Sequence, residues 1–285
     1  LDGESVQSLI ENEKVTFTAA VPTIWLMLFE YLEQSGKKLE SLKSCVVGGS
    51  ACPRFMMEKF YEKYGVEVLH CWGMTETSPI GTINRPLSKH AGQSFSERLD
   101  VAVKQGRPVY GVEIKITDES GITLPNNGKD FGNLWIRGPW ICSGYLNIEN
   151  SETHGEDDWF MTGDVATIDE DGFMQITDRT KDVIKSGGEW ISSIEIENFA
   201  VGHPSVMEAG VIGVFHPKWD ERPLLIIVKN ENAEVSKEEI LEFLKDKIVS
   251  WWMPDDVVFV DSLPHTATGK IQKLALREQF KDYKF

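Results

Sequence analysis

Two short runs near the start of the chain carry residues suited to holding a nucleotide. The first is Val46-Val47-Gly48-Gly49-Ser50-Ala51-Cys52-Pro53 and the second is Trp72-Gly73-Met74-Thr75-Glu76-Thr77-Ser78-Pro79. Glycines after an apolar stretch let backbone approach a flat ligand closely, though Gly49, Ser50 and Ala51 would equally serve a plain strand-to-helix turn. In the second run an aromatic can stack on a base, the Thr75 hydroxyl can donate to a phosphate oxygen, and the Glu76 carboxylate can hold Mg2+ as a hard oxygen ligand. A buried tryptophan followed by a helix-start Thr-Glu would look the same. Further on, Thr162-Gly163-Asp164 offers a carboxylate able to accept two hydrogen bonds from a cis-diol, or a turn residue. Arg179 is a forked donor that fits a ribose or a phosphate, or a surface charge. Gly187 and Gly188 either line a narrow passage or form a loop before the helix that Ser192 caps. Lys270, after Gly269, is a mobile point charge or an exposed lysine.

These residues need elements to position them. Residues 14–20 are β-branched and apolar and predict a buried strand. Pro22 at a favoured first position opens an apolar helix over 23–34. A short strand over 44–47, a helix over 53–64 and a strand over 66–71 follow. This β-α-β-α-β order predicts a parallel sheet flanked by helices, an α/β fold. Residues 84–107 read as polar and irregular. Strands over 112–117 and 133–137 then alternate, and strands over 164–168 and 173–177 flank an Asp-Gly turn, which predicts a small antiparallel β unit. The charged stretch 178–182 marks a boundary between residues 1–180 and a compact α+β domain over 181–285. There, Ser192 with Glu195 and Ser236 with Glu239 predict capping boxes, for helices reaching about 200 and 248. Strands over 208–215, 224–229 and 257–261 and a last helix over 272–280 complete it.

Composition narrows the classes. Twenty-nine basic against forty-five acidic residues give a formal charge of −16, which argues against nucleic acid as the partner. No apolar run approaches the roughly eighteen residues of a membrane helix, and no signal peptide is visible. Cys45, Cys52, Cys71 and Cys142 form no C-x-x-C pair and the six histidines are scattered. Reduced thiols in a cytoplasmic protein without a structural metal are expected.

Taken in order, the runs at 46–53 and 72–79, Thr162-Gly163-Asp164, the stretch 178–191 and Pro264-His265-Thr266-Ala267-Thr268-Gly269-Lys270-Ile271 resemble the adenylate-forming enzymes. These include acyl-CoA synthetases, luciferases and peptide-synthetase adenylation domains. Residues 185–193 and 216–224 are most similar to the medium- and long-chain fatty acyl-CoA synthetase branch. The resemblance implies that residues 1–180 are the later part of a large adenylating domain and 181–285 a small mobile domain. It implies ATP, Mg2+ and coenzyme A as cosubstrates and a fatty acid as substrate, with a homodimer possible. Gly49-Ser50-Ala51 and Gly73 then border adenine and Trp72 stacks on it, standing where the family more often has Tyr, a change the stacking role survives. Thr75 contacts the α-phosphate, Glu76 binds Mg2+, and Asp164 and Arg179 hold the ribose. Lys181 is the hinge, Gly188 borders the pantetheine arm, and Lys270 neutralises carboxylate and phosphate during adenylation. His265 is read as structural or exposed. Gly132-Asn133 departs from the family's usual Gly-Glu. The family's Ser/Thr/Gly-rich phosphate loop and its aromatic gate are expected upstream of Leu1, so residues 1–285 alone are expected to be inactive. The helix over 23–34, with Trp25, either lines an acyl tunnel or is core. Alternatives within reach are a synthetase for a short sulfur-containing or aryl acid, and an inactive binding or oligomerisation module.

Overall fold

The computed structural model describes residues 2–148, 153–231, 233–266 and 270–285. The chain divides into two compact units, Leu1–Ile176 and Thr177–Phe285.

The first unit opens with α1 (Gly3–Asn12), capped by Asp2 accepting from Ser5 N at 2.8 Å. Strands β1 (Phe17–Ala20), β2 (Ser44–Val47) and β3 (Glu67–Trp72) run parallel. Helices α2 (Pro22–Ser35) and α3 (Arg54–Tyr64) cross between them. Pro22 sits in the first turn of α2, where its missing N–H costs nothing. Trp25, Leu28, Phe29 and Leu32 recur at helical spacing and bury one stripe of α2 against Met56 and Phe60 of α3. Trp25 is therefore core, with its ring edge-on to Phe60 at 5.3 Å, and its Nε1 donates to Ala20 O at 3.2 Å. Strands β4 (Thr82–Ile83) and β5 (Arg107–Pro108) continue the sheet antiparallel. Between them lies α4 (Phe95–Ala102), where an irregular stretch was expected. Ser94 and Glu97 cap one another there, and the helix buries Leu99. A second sheet holds β6 (Glu113–Thr117), β7 (Gly132–Arg137), β8 (Phe160–Ile168) and β9 (Met174–Arg179) in that order. Its inward residues Ile116, Leu134, Ile136, Phe160, Ala166 and Ile168 close on Trp72.

In the second unit, β10 (Ile184–Ser186) and β11 (Glu189–Ile191) pair as a hairpin across Gly187-Gly188. A two-residue turn of this kind needs positive φ at both positions, and the glycines adopt +59° and +89°. Helix α5 (Ser193–Ala200) follows, then the long antiparallel pair β12 (Val206–His216) and β13 (Asp220–Lys229). Helix α6 (Lys237–Lys245), β14 (Asp256–Phe259) beside β13, and α7 (Lys273–Gln279) complete it. Alternation explains the uninterrupted apolar run of β13. Leu225 and Ile227 face one cluster with α5 and α6, while Leu224, Ile226 and Val228 face another with Leu263 and Leu276. Both faces of the strand are thus covered. At its start Arg222 is buried, and Nε donates to Asp255 Oδ1 at 2.8 Å while its terminal nitrogens reach Trp251 O and Met253 O.

Candidate functional site

The two glycine- and threonine-bearing runs leave from the carboxyl ends of adjacent parallel strands, β2 and β3, where Val47 pairs with His70. In open α/β sheets this is the edge at which ligands bind. His70 fastens the first turn. Its Nε2 accepts from Cys52 N at 3.2 Å and its Nδ1 lies 2.9 Å from Val103 O. That pairing fixes the neutral tautomer with the proton on Nδ1. Burial depresses its pKa to about 4, so the ring stays uncharged. Gly49 and Ser50 stand exposed on the turn so held, and Ala51 is half-buried.

After β3 the chain turns sharply. A Cβ at Gly73 would fall 1.8 Å from Pro79 O, so only glycine lets the two backbones pass. The hydroxyl of Thr77 ties that loop, accepting from Met74 N at 2.9 Å and donating to Pro79 O at 2.6 Å. Thr75 is exposed and Glu76 half-buried on the one-turn 3-10 helix Thr75–Thr77.

Trp72 and Asp164 meet. The indole Nε1 donates to Asp164 Oδ2 at 2.9 Å, and the two residues are 9% and 3% exposed. The Trp72 ring packs in the core formed by Ile116, Leu134 and Ile136, close to Gly81, so it presents little more than an edge to solvent. Asp164 is fixed at its backbone too, where its N–H donates to Thr162 Oγ1 at 3.1 Å. Asp164 is thus a buried, hydrogen-bonded carboxylate and not a solvated turn residue.

Glu76 is gripped twice. Its carbonyl accepts from Cys142 N at 2.9 Å. Its Oε1 accepts from the Tyr145 hydroxyl at 2.8 Å. Burial and the neighbouring Glu76 carboxylate push the Tyr145 phenol up to about 12. Burial, then Glu76, likewise raise the Cys142 thiol. Nothing in the local sequence signals this pairing, since Tyr145 lies 69 positions from Glu76. Among the described residues no group of three or more His, Cys, Asp or Glu converges for a metal. A single carboxylate beside a phosphate-bearing ligand nonetheless suits Mg2+, which keeps waters and is held by one or two carboxylates plus substrate phosphates. Glu76 is the residue that would hold it.

The remaining candidates belong to the second unit. Arg179 and Lys181 are exposed, and the Lys181 carbonyl accepts from Arg277 of α7 at 3.2 Å. Gly188 is exposed at the β10–β11 turn, with open space where a Cβ would stand. Lys270 is exposed, and its carbonyl accepts from Thr266 N at 2.8 Å. Gly269, with Ala267 and Thr268, lies outside the described residues. His265 pairs with Glu208 at 3.1 Å.

Next to Arg179 sits a buried ionic cluster that the sequence did not announce. Asp178 Oδ2 accepts from Ser193 N at 2.8 Å and from the Ser193 hydroxyl. Asp178 Oδ1 accepts from Arg179 N at 2.8 Å. Lys273 Nζ stands 2.9 Å from Glu197 Oε1 and 4.0 Å from Asp178 Oδ1, and also donates to Ser193 Oγ. Glu197 in turn accepts from Val211 N at 2.8 Å. Burial raises the Glu197 carboxyl, although Lys273 pulls against it. Burial opposes the Lys273 charge, but Glu197 and Asp178 more than offset it and hold the amine above its ordinary value. Ser192 Oγ accepts from Glu195 N at 3.1 Å and donates to Thr177 O, so strand, cap and helix close together.

Comparison with known proteins bears on the whole chain. The family described as AMP-binding enzyme matches residues 1–146, and its C-terminal domain matches 195–270. A 3-methylmercaptopropionyl-CoA ligase of Ruegeria lacuscaerulensis is 52% identical over 99% of this chain and 52% of its own length. A medium-chain-fatty-acid–CoA ligase of Ectopseudomonas oleovorans is 50% identical over the same shares. ATP-bound MatB from Rhodopseudomonas palustris superposes with a TM-score of 0.83 at 30% identity, over 100% of this chain and 54% of its own. The o-succinylbenzoate CoA synthetase of Bacillus subtilis, in complex with its acyl-adenylate intermediate, gives 0.82 at 30% identity over 100% and 54%. The chain spans about half the length of the curated relatives it matches. Among the described residues no helix is long and apolar enough to cross a membrane.

Proposed function

We propose, from the premise that this chain belongs to the AMP-binding enzyme family, that the whole protein is an AMP-forming acyl-CoA ligase. In the first half-reaction a carboxylate oxygen attacks the α-phosphorus of ATP, and pyrophosphate leaves. In the second the CoA thiol, losing its proton, attacks the acyl carbon, and AMP leaves. The observation that carries the reading is the joining of Trp72 to Asp164 at the carboxyl end of β3. It sets a carboxylate suited to a cis-diol beside an aromatic edge and two exposed turns.

In this reading Gly49, Ser50 and Ala51 line the adenine, with Gly73 and the exposed edge of Trp72 beside it. Asp164 receives the ribose hydroxyls and Arg179 adds donors to them. Thr75 donates to the α-phosphate. Glu76 would hold Mg2+, whose chemistry is to offset phosphate charge. Lys270 lowers the repulsion between two anions as they meet, an effect strongest where water is excluded. The second unit, Thr177–Phe285, is the mobile one, turning near Lys181 between half-reactions to exchange Lys270 for Gly188. Cys45, Cys52, Cys71 and Cys142 are all unpaired, in keeping with a reducing compartment, and the proposal places the enzyme in the cytoplasm.

The acid is read first as a medium- or long-chain fatty acid, from the 50% identical ligase of Ectopseudomonas oleovorans and a 45% identical long-chain ligase of Thermus thermophilus. The 52% identical relative favours a second reading, 3-(methylthio)propionate. Carboxylate-dependent ATP–pyrophosphate exchange by the whole protein, across octanoate, palmitate, 3-(methylthio)propionate and cinnamate, tests both. The highest kcat/KM names the acid. Nucleotide binding without exchange on any carboxylate would sink the proposal.

A further inference from the structure

Glu76 sits on one short turn, and a glutamate there has three free torsions to lose before it can serve a cation. The structure restrains it from a different segment. Cys142 N–H holds the Glu76 carbonyl at 2.9 Å, and three residues on, Tyr145 reaches Oε1 at 2.8 Å. The phenol is itself located. Its ring stands edge-on to His154 at 6.0 Å and to buried Phe160 at 6.5 Å. His154 is fixed in turn, with its Nε2 3.2 Å from Cys142 O and its ring 5.1 Å from Phe160. Main chain and side chain of Glu76 are therefore held by one loop that is anchored on β8. A carboxylate offers about four lone-pair sites. The phenol takes one on Oε1, and Oε2 is left to a hard cation.

We propose that Tyr145 is a positioning residue for the magnesium carboxylate: its hydroxyl holds Glu76 in the rotamer that receives the metal–nucleotide complex. The inference rests on the reading of Glu76 as the Mg2+ ligand. Partners that orient a metal ligand typically contribute about 10–100-fold in metal affinity or activity.

The test is Mn2+ titration of the whole protein by electron paramagnetic resonance, with α,β-methylene-ATP present. Y145F keeps the ring and its packing but removes the donor. It is expected to weaken Mn2+ binding about tenfold or more, with an unchanged melting temperature and a higher Mg2+ requirement in pyrophosphate exchange. Y145L, at a position 37% exposed, removes the same donor and must shift Mn2+ affinity the same way, which covers a failure of Y145F to fold. E76Q separates the two ideas. If E76Q weakens Mn2+ binding and neither Tyr145 variant does, the positioning role is wrong while the role of Glu76 stands. If E76Q leaves Mn2+ binding unchanged, the reading of Glu76 falls and this inference with it. Lower turnover in Y145F at unaltered Mn2+ affinity would also overturn it, because support of the fold alone would explain that.

Discussion

Replacing Lys273 with Met should destabilise the second unit in a way that depends steeply on pH. The amine is 11% exposed and stands 2.9 Å from Glu197, itself 14% exposed, and 4.0 Å from Asp178. At an effective dielectric near 20 these distances correspond to attractions of about 6 and 4 kcal/mol. In the native protein they are largely offset by the burial of the three charges. Without the amine that burial is uncompensated, and loss of one member of a buried pair costs about 3–5 kcal/mol. The carboxyl has an escape, because it can take up a proton. From an ordinary glutamate pKa, protonation at pH 7 costs about 3.7 kcal/mol, which sets the ceiling for Glu197. Asp178 keeps the hydrogen bonds from Ser193 and Arg179. In the variant the folded-state pKa of Glu197 lies above its unfolded value, so the folded state binds more protons and gains stability as pH falls. K273M should therefore cost about 3–4 kcal/mol at pH 7 and about 1 kcal/mol at pH 5, changing by about 1.4 kcal/mol per pH unit. Native-state hydrogen exchange of the whole chain reads this through the amides of β12, including Val211. The double variant K273M/E197Q should recover most of the loss at pH 7, because the neutral amide still accepts from Val211 N. A cost below 1 kcal/mol at pH 7, or one flat in pH, would refute the reasoning.

Residues 177–285 should unfold cooperatively as an isolated piece, while a piece starting at 181 melts lower, because it lacks Asp178 and the Thr177 carbonyl bonded to Ser192. Thermal unfolding by circular dichroism compares them. K270A in the whole protein should slow acyl-adenylate formation by about 10²–10³ and leave thioester formation from supplied acyl-AMP largely intact; equal loss of both would remove the assigned role. His70 should make the first unit acid-sensitive. Its folded pKa of about 4 lies below the ordinary value of 6.5, so its contribution is complete above pH 6.5 and is lost as pH falls toward 4. The loss is roughly 3 kcal/mol, read from denaturant midpoints between pH 4 and 7, with H70Q lacking that limb.

Much of the architecture was legible because local chemistry and burial agree. Pro22 and the Trp25, Leu28, Phe29, Leu32 stripe announce α2, and Ser236 with Glu239 announces α6 through a capping box that the structure contains. Helix α4 was missed because its apolar face is short, although Ser94 and Glu97 carry the same capping signal. The true start of β13 was missed because Asp220, Glu221 and Arg222 look like loop, and the charge of Arg222 is absorbed by Asp255 and backbone carbonyls from elsewhere in the chain. The candidate site residues stand out in the sequence only as types in order, and their pairings do not, since Trp72 with Asp164 and Glu76 with Tyr145 are contacts across 92 and 69 positions. Lys273 looked like any helix-start lysine, and only the folded unit shows what neutralises it.

The bond from Trp72 to Asp164 also bears on entropy. An aspartate in solvent samples several rotamers, and immobilising a side chain at binding costs about 0.5–1.5 kcal/mol. Here the indole and the Thr162 hydroxyl have already fixed side chain and backbone. Folding has met that ordering cost, and in the proposed role of Asp164 an arriving diol would find its acceptor standing still.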